Sequence, residues 1–325
     1  MAHRLNLRPP ASRPLSPLWL LAGLITRRAG LLFALLAIVF IAVEILPGDA
    51  ASSTVDRGAS AAAVAARRAE LGLDQPVAVR FLRWMLALPT GDLGVSARGE
   101  QVSGIVVRHF PNTLLLAGLA MVVTILMAIT LGGIAAIRPG SRLDRLISTS
   151  ATMVIALPEF VVAGLLVLVF ALWFRLLPAV TVTSFDGGIA PEMLVMPVLA
   201  LAVPQIGWNS RIVRGALLDE ARAPHVESAI IDGLPTHQVM LRHVLPGALP
   251  TIAAGAATSV GVLLGGAVVV ETIFNYPGIG SILAGAVGDR DAPLVAAVVA
   301  AAGTAIAVVL LASDLARAWA IGGRA

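Results

Sequence analysis

Residues 113–136 read TLLLAGLAMVVTILMAITLGGIAA, without one charged side chain. A bilayer's hydrocarbon core takes about 20 residues of helix. Lipid offers the backbone no hydrogen-bond partners, and the run lacks the alternation of a barrel strand, so it must be helical. This stretch decides the fold: an all-α, polytopic membrane protein.

Five further apolar runs predict spans at 29–46, 147–172, 193–209, 248–270 and 293–313, giving about six in all. The run 248–270 is also uncharged, and 147–172 is broken only by Pro158 and Glu159. Over 325 residues the chain is 58% hydrophobic and 13% charged, against about 25% charged in soluble domains. A signal peptide over 1–50 is disfavoured, because its basic region is too long and its apolar run is nearer a span than an h-region.

Every basic residue is Arg. A phosphate-binding P-loop needs a Lys, so the chain cannot carry that ATP site. The absence of Cys excludes disulfides and thiolate-held metals. The Arg residues lie scattered between apolar runs, which does not read as a nucleic-acid surface. The His residues lack metal-ligand spacing, and no nucleophile–base constellation stands out.

Arg placement predicts the orientation. The tail 1–28 holds Arg4, Arg8, Arg13, Arg27 and Arg28 and no acid. Arg138, Arg142 and Arg145 outnumber Asp144 in the next inner loop. The loops 173–192 and 271–292 are acidic, through Asp186, Glu192, Glu271, Asp289 and Asp291. Both termini are therefore expected in the cytoplasm. The expected organisation is a tail 1–28, disordered where Pro9, Pro10, Pro14 and Pro17 cluster, then a first span and outer segment 29–112. A core 113–316 follows, with an inner loop 211–247, and then a tail 317–325. Within the outer segment, 59–87 reads as helical.

The inner loop is the informative one. Residues 211–250 read RIVRGALLDEARAPHVESAIIDGLPTHQVMLRHVLPGALP. Glu227 to Asp232 favour helix, Gly233 stands at a helix-stop position, and Leu234 and Pro235 enforce a turn. A second helical run starts near Pro235 and feeds the fifth span. A short rigid helix at the ends of two spans is a lever, and alternating access needs rigid-body motion.

This loop resembles the cytoplasmic coupling motif of binding-protein-dependent ABC permeases, E-A-A-x3-G-x9-I-x-L-P. Glu227, Ala229, Gly233, Leu245 and Pro246 match, while Ser228 and His243 depart. The chain further resembles the dipeptide/oligopeptide/nickel branch. The matching stretches are Leu46 to Asp49, Glu70 to Pro76, Gly91 to Gly94, Arg108 to Leu114, Ser141 to Arg145 and Val270 to Gly280. The resemblance implies a pore of two such subunits, two cytoplasmic ATPase subunits that bind ATP and Mg, and an extracytoplasmic substrate-binding protein. It implies no catalytic site and no cofactor in this chain. It assigns coupling to Glu227, Ser228, Ala229, Gly233, Leu234 and Pro246. Gly233 would allow the sharp turn, since Gly takes positive φ at no steric cost.

Glu159 falls near the middle of the third span, where a carboxylate is expensive. It either lines a translocation path and favours a cationic cargo, or pairs with Arg or reaches the headgroups at a helix break. Glu44 is expected to snorkel to the outer interface. Ala253, Ala257, Gly261 and Gly265 place small side chains on one helix face, which packs within the subunit, meets a partner subunit or lines the path. An ion-gradient transporter is the competing class; Glu159 is its one convincing coupling acid. Peptides are the expected cargo, with nickel or other metal chelates the alternative.

Overall fold

The computed structural model describes residues 17–46, 48–55, 60–181 and 189–322. The expectation of disorder near the N-terminus falls on residues 1–17, of which 1–16 lie outside the described set.

The described residues form thirteen helices: α1 Pro17–Ile45, α2 Ala50–Thr54, α3 Ala61–Glu70, α4 Val77–Ala87, α5 Val102–Ile137, α6 Arg142–Ile155, α7 Glu159–Leu166, α8 Pro191–Glu220, α9 Pro224–Ile231, α10 Thr236–Val239, α11 Leu245–Ile273, α12 Ile279–Gly288 and α13 Ala292–Gly322. A π-helical stretch, Val167–Trp173, extends α7, and another, Met240–Val244, joins α10 to α11. Five helices are long and apolar enough to cross a bilayer, or six if α6 and α7 count as one span bent by 103° at their break. α3 and α4, two helices of the segment that follows α1, fall within the expected stretch 59–87.

α8 is the central helix. It packs against α5, α6, α7 and α11. Three glycines bring its neighbours close: a Cβ at Gly132 of α5 would lie 2.6 Å from the Ser210 carbonyl, one at Gly207 would lie 2.8 Å from the Ala151 carbonyl of α6, and one at Gly255 of α11 would lie 2.8 Å from Ile212. Small residues at interfaces let membrane helices approach, since lipid gives no hydrophobic drive for association. α5 shows the division: Ala117, Ala120, Thr124, Ala128 and Gly132 are buried, while Leu119, Val122 and Leu126 are exposed at the chain's surface. Asn209 of α8 donates to Ser259 of α11 at 2.8 Å, a buried polar tie between the two.

The first span begins earlier than 29. α1 starts at Pro17, and its apolar part runs from Gly23. Arg27 and Arg28 therefore lie inside the helix, and Arg28 pairs with Asp314 of α13 at 2.5 Å. Glu44, expected to snorkel, instead pairs with Arg80 of α4 at 2.6 Å, and Arg80 also lies over the Phe40 ring. The segment that follows α1 docks on α1 and α13 through Phe40, Phe81, Trp84 and Val295.

Candidate functional site

The candidate site is the turn that links α8 to α11. α9 starts with Pro224 in its first turn, where the missing N–H costs nothing. Glu227 lies in that first turn as well, on the side that favours a negative charge. The helix ends in a Schellman motif. The Gly233 N–H donates to the Ile230 carbonyl at 3.0 Å, and the Leu234 N–H donates to the Ala229 carbonyl at 3.3 Å. Gly233 has φ of +76°, the left-handed conformation that its sequence position predicts.

α9 is amphipathic in a way that separates its roles. Val226 and Ala229 are buried where α9 packs on α10 and on the π-helical stretch Met240–Val244, and they belong to an apolar cluster that also holds Ala128 and Ala136 of α5, Val213 and Leu217 of α8, and Ala248 and Ile252 of α11. Leu234 is half-buried in the same cluster. The opposite face exposes Glu227, Ser228, Ile230 and Ile231, the two isoleucines at 58% and 78%. Ala229 is thus a root, while Glu227, Ser228 and Gly233 lie on the surface. Pro246 stands in the first turn of α11 and is exposed.

Two residues that the sequence reading missed lock the base. Gly247 of α11 lies so close to Glu220 of α8 that an added Cβ would overlap its carboxylate. His225 lies 3.6 Å from the same carboxylate. A Gly directly after the motif's Pro246 gives no signal in the sequence, because its neighbour Glu220 is 27 positions away on another helix.

Glu159 opens α7, immediately after the break at Pro158. Its carboxylate has no hydrogen bond or ion pair among the described residues, and it meets Gly266 of α11 beside Leu201 of α8. Its place in a helical first turn softens the cost of the charge. Gly261 and Gly265 are not brought to it. They line a separate cavity of about 200 Å³ with Leu35, Phe110 and Gly303.

Glu271, which the sequence reading counts among outer-loop acids, is instead in the last turn of α11 and has 0% exposure. It accepts hydrogen bonds from Thr113 Oγ1 at 2.6 Å, the Gly280 N–H at 2.7 Å and the Ser281 N–H at 3.2 Å. The first donor is on α5, and the other two are at the N-terminus of α12. Around it, Tyr276 donates to the Asn112 carbonyl at 2.9 Å, and the Asn112 side chain donates to the Pro277 carbonyl at 2.8 Å. Burial and the neighbouring Glu271 charge push the Tyr276 phenol up to about 12, so it stays a donor. The stretch 270–280 is therefore a latch that holds α5, α11 and α12 together.

Comparison with known proteins places both halves of the chain. Residues 128–321 match the family of binding-protein-dependent transport system inner membrane components, and residues 20–117 match the N-terminal family of the same transport-system membrane components. The peptide ABC transporter permease protein y4tP of Sinorhizobium fredii is 31% identical over 79% of this chain and 83% of its own length. The oligopeptide transport system permease protein OppB of Salmonella typhimurium is 30% identical over 81% and 85%. An inward-facing structure of the MetNI methionine ABC transporter superposes with a TM-score of 0.55, covering 66% of this chain and 96% of that one at 18% identity. That last likeness concerns the fold.

Proposed function

Since the chain belongs to the binding-protein-dependent transport system inner membrane components, the multi-pass permease subunits of ABC importers, we propose that its cargo is peptide and that ATPase motion enters it through α9. The observation that carries the coupling role is the two-sided character of that helix. One face packs on α10 and the Met240–Val244 stretch within an apolar cluster shared with α5, α8 and α11, and the other offers Ile230 and Ile231 to something outside the chain. On a segment too polar to meet lipid, exposed isoleucines are free to meet a partner subunit. Glu227, Ser228 and Gly233 shape that outer surface; Ala229, Leu234 and Pro246 transmit its movement to the spans.

The reading has a second permease subunit completing the pore, two ATPase subunits binding ATP and Mg beneath it, and an extracytoplasmic binding protein delivering cargo. Hydrolysis belongs to the ATPases, and this chain needs no cofactor of its own. Both termini and α9 lie in the cytoplasm, and the latch around Glu271 lies at the outer face. Peptide cargo draws support from the names of the two curated relatives. The unpaired carboxylate of Glu159 favours a path that accepts a cationic group, such as a peptide amino terminus; a metal chelate is the cargo that the same observation would also suit.

The test is uptake by proteoliposomes holding the permease pair, the ATPases and the cognate binding protein. Labelled trialanine enters only with ATP on the ATPase side, and Glu227→Arg lowers the rate at least tenfold while the chain still inserts. Uptake of a nickel chelate with none of trialanine would replace the cargo reading.

A further inference from the structure

A cavity of about 440 Å³ opens between α6 and α8, within the range of small-ligand sites, about 300–1,000 Å³. It is lined by Ser148 and Thr152 of α6 and by Trp208, Arg211, Ile212 and Arg214 of α8. No carboxylate lines it.

The charges around it are unequal. Arg214 is spent on Asp144, with Nε at 2.6 Å and Nη2 at 2.9 Å from the two carboxylate oxygens. Asp144 also accepts from the Gly140 N–H at 2.7 Å and from Ser148 Oγ at 3.2 Å, so its oxygens are taken. Arg211 is exposed and has no hydrogen bond or ion pair among the described residues; the same holds for the Trp208 indole N–H. Near it, the end of α5 and the start of α6 carry Arg138, Arg142 and Arg145, which do not line the cavity and form no ion pairs among the described residues. The cavity thus gathers donors and positive charge, and its lining offers hydroxyl oxygens but no carboxylate to meet them.

A guanidinium beside a membrane bundle is costly unless an anion or water meets it. Arg suits carboxylate and phosphate, because its fork can hold two oxygens at once. We infer that this cavity is an anion-binding site, with Arg211 as the charged ligand and the Trp208 N–H as a second donor. It takes one carboxylate or one phosphate group. Two sources carry that chemistry: the carboxyl end of a cargo peptide and the headgroup of an anionic lipid. The inference stands on the cavity alone and survives if the peptide reading fails.

The chain has no Cys, so Thr152→Cys introduces its single thiol at the cavity wall. The assembled importer is placed in phosphatidylcholine nanodiscs, and modification of this chain by negatively and positively charged methanethiosulfonates is followed by mass spectrometry. After correction for each reagent's rate on free cysteine, the negative reagent is expected to react about tenfold faster, as in a cleft of one sign of charge. Arg211→Gln abolishes that preference and Arg211→Lys keeps it. Protection by trialanine, with none by trialanine amide, identifies the cargo carboxylate as ligand. Protection on replacing part of the lipid with phosphatidylglycerol identifies the headgroup. Equal rates for the two reagents, a preference that Arg211→Gln leaves intact, or protection by neither trialanine nor phosphatidylglycerol would overturn the inference.

Discussion

At the scale of single residues, two carboxylates of the same outer region behave oppositely to their reading as loop acids. Glu271 is sealed from solvent and satisfied by three donors. Glu271→Gln keeps the shape but sets an amide N–H2 against donors, at a cost of about 1–3 kcal/mol for the unmatched group. The expected result is a lower apparent Tm in nanodiscs, and an unchanged Tm would remove the latch from the account. Asp291 is buried too, and it accepts from the Ala97 and Leu294 N–H groups at 2.6 and 3.1 Å. Burial pushes its carboxyl up from the ordinary value. The folded chain then keeps this proton at a pH where the unfolded chain, titrating near 3.9, has released it. By linkage, its contribution to stability falls as pH rises from that value through the raised one. Asp291→Asn is expected to flatten this part of the stability–pH curve. Neither burial was legible in the sequence. One partner of each, Thr113 and Ala97, lies 158 and 194 positions away, and a short-range reading counts an acid near a span as a loop charge.

At the scale of elements, legibility followed the length over which a signal is written. Long apolar runs located the spans, and Pro158 with Glu159 located the break between α6 and α7, though not its 103° bend. The start of α1 was missed because Arg27 and Arg28 look like a border until Asp314 of α13 is seen to take one of them. α12 was missed as well: ten residues rich in Gly and Ala carry little helical signal, and its N-terminus is held by a carboxylate from α11. The end of α9 was legible because the left-handed turn and its Gly are local, whereas the base contact between Gly247 and Glu220 was not. Gly233→Ala forces a Cβ into φ of +76°, a strain of about 1–2 kcal/mol. It is expected to cut uptake more than it lowers the Tm. Equal uptake with normal insertion would show that the turn has no part in coupling.

At the scale of the whole molecule, the account is a rigid bundle with one handle. α5, α6, α7 and α11 are packed on α8, with glycine contacts between three of these pairs, and the Glu271 latch ties the outer ends of α5 and α11 to α12. A push on α9 therefore passes through the Met240–Val244 stretch into α11, and the apolar cluster shared with α8 carries it further. Spin labels at Ser228→Cys and at Thr90→Cys, in the outer segment, report the rocking in a chain that has no other thiol. Their separation between the two permease subunits is expected to change in opposite directions at the inner and outer ends when a non-hydrolysable ATP analogue is added. A change at the inner end alone would mean that the bundle bends and does not rock.

The most direct measurement is ATP-driven trialanine uptake by the reconstituted importer carrying Ile230→Asp and Ile231→Asp together. Both side chains point away from the packed face of α9, so the chain should fold and insert as before. The account expects ATPase association and uptake to be lost together. Uptake at the unmodified rate, in the double variant or with the ATPases left out, would contradict it.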